Sequence, residues 1–383
     1  MTLFQILKEN LETGLRGYPV GYCTSSYVDP EKGLYYRDYP IEELAFLDPI
    51  EVIYLLWKGE RAEKQELVDF QKELEKRAFL SDEIVHAIYA LPQKGSPIDH
   101  FAASLQILGM LEEKKDYKED ALSLIAKLPL LAANVMNAYQ GWGKTPSSDF
   151  SLGYMENFTK LLNIPGLPDQ KLLTKVFRLF NVLHYDHGGG NLSVFVAKAV
   201  ASGLQHLCGS VASGINALAG SRHGRANESC FYFVRSLYEN MPGSLEEETL
   251  YQIVQEKVLE QKLIYGFGHA VLRAEDPRAR IFYQFAEENF SQNSLVKLAL
   301  LLRKVVPKVL QKYAKVSDPY ANLDAISGVV LAAAGFNYPS FFPVLFGLSR
   351  SVGMTLQILY ERTVARNGRG TPIVRPKYFY RKQ

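Results

Sequence analysis

Two long stretches without a charged residue set the strongest limit on what this chain can fold into. They cover residues 199–221 and 325–349, and each is long enough to cross a bilayer. The first is rich in Gly, Ser, Asn and Gln, and the second is interrupted by Asn337, Pro339 and Pro343. We therefore expect helices that are buried on all sides in the core of a large protein, and no membrane span.

The composition agrees with a large globular protein. Hydrophobic residues make up 47% of the 383 residues, which is enough for a sizeable core. At roughly 150 residues per domain, this length favours two domains. The chain has 43 basic and 41 acidic residues, a net charge of +2. This balance excludes a generally basic protein built to cover nucleic acid, and an acidic disordered chain.

The cysteines and the N-terminal segment bear on the compartment. Cys23, Cys208 and Cys230 form no C-x-x-C pair and are odd in number, which favours a reducing compartment over a disulfide framework. The N-terminal segment has acidic residues early and no continuous apolar core, so we expect neither a secretory signal nor a transit peptide. Both features favour the bacterial cytoplasm.

The dominant pattern along the chain is helical, and we predict a nearly all-α fold. One helix face, spaced i, i+3, i+4 and i+7, is formed by Leu173, Val176, Phe177, Phe180, Leu183, His184 and His187. Helix starts are predicted where an N-cap residue precedes proline, at residues 48–49, 96–97 and 276–277. A short strand pair is predicted within residues 22–36.

A cluster of polar residues interrupts this pattern at residues 184–191, which read His-Tyr-Asp-His-Gly-Gly-Gly-Asn. His184, Asp186 and His187 offer three types of metal ligand, so a metal-dependent hydrolase is one hypothesis. Because both histidines fall on the apolar face and no further His or Cys cluster completes the set, we disfavour a metal site. The glycines predict the end of the helix and a loop where the backbone approaches a small anion.

Two further histidines, His223 and His269, stand in turns framed by glycines, and Asp324 stands at the start of an apolar helix. A carboxylate at such a place has a raised pKa and can remove a proton next to a carbonyl. A neutral histidine can donate a hydrogen bond to the enolate oxygen that forms, and arginines such as Arg278 can hold carboxylates. The set predicts carbon–carbon bond formation through an enolate.

In their order and spacing these motifs resemble the citrate synthase family, in its mitochondrial-type and short bacterial dimeric branch, over most of the chain. The resemblance is carried by residues 33–45, 157–159, 184–191, 223–224, 268–278 and 322–328. It implies a mostly helical homodimer. Residues 1–224 and 336–383 would form a large domain and residues 225–335 a small one, with the active site in the cleft between them.

The resemblance also implies a reaction and a catalytic trio. His223 would bond the thioester oxygen of acetyl-CoA, and Asp324 would remove the methyl proton. His269 would polarise the carbonyl of oxaloacetate and protonate the new alkoxide. Hydrolysis of citryl-CoA to citrate and CoA would follow, without a metal or another cofactor. Neither nucleic acid nor a membrane is expected as a partner.

The remaining site residues are also implied by the resemblance. Ser193 would orient His223, and Asn191 would support the oxaloacetate site. The carboxylates of oxaloacetate or citrate would be bound by His187, Arg278, Arg350 and Arg375, the last reaching into the partner subunit. Coenzyme A would be bound by Arg273 through a phosphate, and around the adenine by Leu263, Ile264, Gly266, Phe267 and Gly268.

The sequence departs from the family pattern beside His223, where Arg222 and Arg225 replace residues that are commonly apolar or small. Two flanking guanidinium groups are expected to favour the neutral form of His223 and to affect the acyl-CoA preference. One alternative within the family is therefore a 2-methylcitrate synthase that uses propionyl-CoA. Another is a family relative that binds without catalysis.

Overall fold

A computed structural model describes residues 6–167, 169–240, 246–269, 271–314, 316 and 318–382. The first five residues, part of the segment expected to carry no targeting signal, lie outside this range. Helices dominate the described residues, as predicted. They are α1 Ile41–Leu44, α2 Pro49–Lys58, α3 Lys64–Glu75, α4 Asp82–Tyr89, α5 Pro97–Glu112, α6 Tyr117–Gln140, α7 Tyr154–Leu161, α8 Gln170–His184, α9 Leu192–Ser202, α10 Leu207–Leu218, α11 Ala226–Asn240, α12 Glu247–Leu259, α13 Pro277–Phe290, α14 Ser294–Val309, α15 Ser327–Ala333 and α16 Phe342–Thr363.

The predicted strand pair is present and gains a third, very short strand. Strands β1 Ser26–Asp29, β2 Gly33–Tyr36 and β3 Tyr39–Pro40 form one antiparallel sheet in the order β1-β2-β3. Tyr27 lies opposite Tyr35, and their rings stack with centroids 4.8 Å apart. Such cross-strand aromatic pairs stabilise a small sheet that has little core of its own.

The three predicted helix starts are confirmed, each with its proline at the first helical position. Asp48 accepts a hydrogen bond from the backbone of Ile50 at 2.9 Å, and Asp276 accepts one from Arg278 at 3.0 Å. Ser96 and Asp99 bond reciprocally in a capping box. These caps satisfy backbone N–H groups that have no partner inside a helix.

The two uncharged stretches form buried helices, as expected. Residues 199–221 contain the end of α9 and all of α10, whereas residues 325–349 contain α15 and the first two turns of α16. Among the described residues, two helical segments are long and apolar enough to cross a membrane, Tyr117–Gln140 and Pro339–Thr363. Because 83% and 89% of their apolar windows are buried inside the protein, we assign both to the core.

The longest core helix, α6, contains a proline that is compensated from outside the helix. Pro129 has no N–H to offer the carbonyl of Ile125 one turn earlier. The hydroxyl of Tyr154, at the start of α7, donates to that carbonyl at 2.7 Å. The helix therefore continues through the proline without a buried carbonyl left unsatisfied.

The sheet is fixed against α13, the helix that carries Arg278, by one close contact. Gly33 has a φ of 103°, and a Cβ atom there would lie 2.2 Å from Cγ of Pro277. Only glycine satisfies both the left-handed backbone and this approach. The start of α13 is thereby held against β2.

We predict that Gly33→Ala lowers the free energy of unfolding by about 2–4 kcal/mol, because it adds backbone strain and overlap with Pro277. Gly141→Ala is the matched control, since Gly141 has a φ of 70° and no atom within 4 Å of the added Cβ. Strain alone should cost the control about 1 kcal/mol. Urea denaturation followed by circular dichroism measures both, and equal losses would contradict the role of the Pro277 contact.

Candidate active site

Helix α8 ends at His184, one turn earlier than the sequence predicts. The hydroxyl of Tyr36 is inserted where the next helical hydrogen bond would form. It donates to the carbonyl of Val182 at 2.8 Å and accepts from the N–H of Asp186 at 3.2 Å. The prediction that His184 and His187 share a helix face is therefore wrong, since His187 lies in the turn beyond the helix.

The turn after α8 is held on several sides through Asp186, which is fully buried. Its carboxylate accepts hydrogen bonds from Ser25 and from Nε2 of Gln357, the latter at 2.8 Å. Ser26 accepts a hydrogen bond from the N–H of Gly188 at 2.7 Å. The backbone that carries His187 is thus fixed by β1, by the segment before it and by α16.

His187 is partly exposed, but its Nε2 atom is buried and has no hydrogen-bond partner among the described residues. Burial lowers the pKa of His187 well below its usual value, and the guanidinium groups of Arg278 and Arg350 lower it further. Its ring lies 5.4 Å from the ring of His269, between centroids. A buried nitrogen without a partner is costly unless a ligand bonds to it, so this atom is a candidate ligand contact.

His269 is held in one tautomer by the backbone that follows it. Its Nδ1 accepts hydrogen bonds from the N–H groups of Val271, at 3.1 Å, and Leu272, at 2.9 Å. The neutral ring therefore carries its proton on Nε2, which is left as a donor. Burial, reinforced by Arg278, lowers the pKa of His269 to about 4, so the ring is neutral at pH 7.

His223 lies in the turn after α10 and faces the start of α9. Its Nε2 is 2.9 Å from Oγ of Ser193 and accepts from the N–H of Ser193 at 3.3 Å. The proton of the neutral ring therefore lies on Nδ1, available to a ligand. Oγ of Ser193 bonds in turn to Oδ1 of Asn191, at 2.9 Å, and the same Oδ1 caps α9. Ser193 thus contacts His223, and its orienting role stays a prediction.

The neutral form of His223 has a different cause from the one expected. Burial, with a smaller contribution from the charge of Arg350, lowers the pKa of His223 to about 4. Arg222 is exposed, and Nε of Arg225 donates to the carbonyl of Ala219 at 3.0 Å. The attribution to the two flanking arginines is therefore wrong, although the neutral form is retained.

Asp324 lies in a short 3-10 turn, Leu323–Ala325, directly before α15. Burial raises the pKa of its carboxyl to about 6, against the opposing effect of Arg278 and Arg350. A carboxylate with this pKa is mostly ionised at pH 7 and is a stronger base than an exposed aspartate.

The turn that carries Asp324 and the loop that carries His269 are joined into one unit by Asn322. Its side chain accepts from the N–H of Asp324 at 2.9 Å and donates to the carbonyl of Gly268 at 2.8 Å. Its backbone N–H donates to the carbonyl of Gly266 at 2.9 Å. Gly266 also packs closely on this turn, since a Cβ atom added to it would lie 2.6 Å from Cα of Ala325. The two side chains therefore keep a fixed relation to each other.

The residues expected to bind coenzyme A lie in the loop that leads to His269 and in the segment that follows it. Leu263 is exposed, Ile264 is buried, and Gly266 and Gly268 both have a φ of 84°. Arg273 is exposed and donates to the carbonyl of Leu272 at 2.7 Å. Phe267 pairs with Ala321 in an isolated antiparallel bridge. The loop thus offers backbone groups beside an accessible cation.

The two buried arginines are held by different partners. Arg278 forms a two-point ion pair with Asp276, with bonds of 3.0 Å from Nε and 2.7 Å from Nη2. Nε of Arg350 donates to the carbonyl of His184 at 2.9 Å, and burial lowers the pKa of Arg350 to about 10. Each guanidinium acts on the pKa values of His187 and Asp324, which places all four groups around one centre.

Of the residues expected for catalysis and for binding oxaloacetate, the structure brings all but Arg375 together. Arg375 is exposed in the C-terminal segment, where the neighbouring Val374 bonds to Oγ of Ser202 at 2.9 Å. Those around the centre are His187, Asn191, Ser193, His223, His269, Arg278, Asp324 and Arg350. Sequence reasoning missed the supporting Tyr36, Asn322 and Gln357, although Tyr36 and Asn322 stand inside motifs that it quoted.

The residues proposed for a metal site are used in other ways. Nδ1 of His184 lies 2.7 Å from the carbonyl of Phe180, and its ring stacks on the ring of that residue. Within the described part of the chain, no group of three or more His, Cys, Asp or Glu is arranged to hold a metal ion. The metal-dependent hydrolase hypothesis therefore lacks a ligand set here.

A family model described as the citrate synthase C-terminal domain matches residues 14–377. The mitochondrial citrate synthase of Citrus maxima is 33% identical over 388 residues, which cover 95% of this chain and 80% of that protein. The mitochondrial citrate synthase of Saccharomyces cerevisiae is 31% identical over 399 residues, with coverage of 98% and 81%.

Solved structures agree with these likenesses. Citrate synthase from Pyrobaculum aerophilum superposes with a TM-score of 0.84 at 28% identity, covering 97% of this chain and 92% of that one. The enzyme from Thermotoga maritima gives 0.82 at 26% identity, with coverage of 97% and 96%. The fold and its site therefore define a mostly helical acyltransferase. The chain belongs to the citrate synthase family.

We predict that His269 stays neutral, with its proton on Nε2, down to about pH 5, because its pKa lies near 4 and two backbone N–H groups bond to Nδ1. Long-range ¹H–¹⁵N spectra of protein labelled at histidine measure the tautomer, and His269→Gln assigns the signal. A proton on Nδ1, or titration near pH 6.5, would contradict the assignment.

Proposed function

We propose that this protein is a citrate synthase that joins acetyl-CoA to oxaloacetate and hydrolyses citryl-CoA to citrate and CoA. The observation that carries the proposal is Asp324, a base of raised pKa, at one centre with neutral His223 and His269. One carboxylate base and two neutral donors suit the formation of an enolate and its attack on a carbonyl.

Oxaloacetate would be held by its two carboxylates and its ketone oxygen. Arg278, Arg350 and Nε2 of His187, which has no partner among the described residues, would bind the carboxylates. Nε2–H of His269 would donate to the ketone oxygen and draw electrons from the carbon under attack. Asn191 would act indirectly, through its bonds to the turn after His187.

Acetyl-CoA would be activated between His223 and Asp324. Nδ1–H of His223 would bond to the thioester oxygen while Asp324 takes a proton from the methyl group. The enol or enolate carbon then forms a bond to the ketone carbon of oxaloacetate. Nε2–H of His269 would donate a proton to the resulting alkoxide. Water next breaks the C–S bond of citryl-CoA, and CoA leaves as the thiol.

The chain would divide into two domains across this centre. We assign residues 1–224 and 336–383 to a large domain that supplies His187, His223 and Arg350, and residues 225–335 to a small domain that supplies His269, Arg278 and Asp324. A dianion between Arg278 and Arg350 would draw the domains together, exclude water and complete the coenzyme A site. Coenzyme A would contact Arg273 and the backbone of residues 263–268.

The first test is coenzyme A thiol release in the presence of oxaloacetate, with acetyl-CoA and propionyl-CoA compared by kcat/KM. A preference for acetyl-CoA supports citrate synthase, whereas a preference for propionyl-CoA makes the protein a 2-methylcitrate synthase. Release from neither thioester contradicts both and favours a family relative that binds without catalysis. No metal or cofactor beyond the substrates is proposed, and action in the bacterial cytoplasm stays a prediction.

We predict that kcat/KM for acetyl-CoA rises with pH through about 6, because only the ionised form of Asp324 accepts the proton. His223 and His269, with pKa values of about 4, stay neutral over this range and add no step. Asp324→Asn should lower kcat by about 10²–10⁴-fold. Near wild-type turnover in this variant would show that Asp324 is not the base.

We further predict that Arg375 completes the site of the partner subunit in a homodimer. Mixing Asp324→Asn subunits with Arg375→Gln subunits should restore about a quarter of the wild-type activity, since half the dimers are mixed and each has one intact site. Each variant measured alone is the control. No recovery after proven subunit exchange would place Arg375 in its own subunit's site or outside the sites.

A further inference from the structure

Phe346 is the exception in the burial pattern of α16. Between residues 341 and 358, Phe346 is partly exposed and all the remaining residues are buried. A helix that is otherwise buried exposes an aromatic ring within its buried run only where the core opens into a cleft. The ring of Phe346 therefore lines an opening within the protein.

The ring contacts place this opening at the candidate active site. The Phe346 ring lies 6.3 Å from the ring of His223, between centroids, with the planes at 77°. The guanidinium carbon of Arg350 lies 5.0 Å from its centre. Phe346 thus stands between the histidine proposed to bond the thioester and an arginine proposed to bond a carboxylate.

The ring is also held in place from behind. The ring of His184 packs against it with centroids 4.9 Å apart, and His184 is itself fixed by its bond to the carbonyl of Phe180. Contacts on several sides leave the ring little room to swing away from a larger ligand. A rigid aromatic wall at this place limits the volume available to the acyl group.

We propose that Phe346 determines the acyl-group specificity of this enzyme, by forming the wall against which the methyl group of the bound acetyl thioester packs. This inference rests on the proposed function and extends it, since it names the side chain that rejects a longer acyl chain. One additional methylene group in a fixed apolar pocket typically changes kcat/KM by about 10–200-fold. The ring is large enough to exclude that methylene, and a shorter aliphatic side chain is not.

The test compares kcat/KM for acetyl-CoA and propionyl-CoA, with oxaloacetate saturating. Phe346→Leu should lower the acetyl-to-propionyl ratio by about tenfold or more, because it opens space next to the acyl group. Phe346→Tyr keeps the ring and should retain the wild-type ratio. Phe341→Leu is the matched control on the same helical segment, since the ring of Phe341 contacts Tyr139, Trp142 and Tyr338.

The outcomes separate this inference from the proposed function. An unchanged ratio in Phe346→Leu, with active wild-type protein, overturns the inference alone. The same holds if kcat falls equally on both thioesters, since the ring would then only position His223 or Arg350. No release by the wild type from either thioester overturns the proposed function and the inference with it. If Phe346→Leu does not fold, as judged by circular dichroism, Phe346→Met carries the same expectation.

Discussion

One hydroxyl group fixes the geometry on which the site depends. By entering the hydrogen bond between Val182 and Asp186, Tyr36 ends α8 and turns the chain toward His187. Tyr36 is fully buried in β2, the strand in which Gly33 packs against Pro277. The same strand therefore also positions the start of α13, the helix that carries Arg278. The positions of His187 and Arg278, which are far apart in the sequence, thereby depend on the same strand.

Burial determines the protonation states more than charge pairing does. For His187, His223, His269 and Asp324, loss of water is the first cause of each pKa shift, and the guanidinium groups act second. Histidines become neutral donors and the carboxyl becomes a better base for the same reason. A pair of buried cations beside them favours an anionic ligand without changing those roles.

Much of the fold was predictable from the sequence because capping residues, prolines and apolar spacing act locally. The starts at Pro49, Pro97 and Pro277 follow from short-range chemistry that any helix obeys. The end of α8 was not predictable in this way, since the side chain that stops it comes from a strand far earlier in the chain. The cause of the neutral His223 was missed for the same reason: its burial, and the nearby charge of Arg350, arise from segments distant in sequence, whereas Arg222 and Arg225 are adjacent. The order of the motifs identified the family, but the contacts that Asn322 and Phe346 make at the site depend on packing between distant segments.

Nε2 of His187, which has no hydrogen-bond partner among the described residues, has a consequence for the stability of the protein. A buried nitrogen without a hydrogen-bond partner raises the free energy of the ligand-free native state, and a ligand that bonds to it removes that cost. A ligand that binds only the native state increases its population in proportion to the ligand's own abundance. A ligand bound at this atom would thus increase the resistance of the protein to unfolding and to proteolysis of its unfolded form.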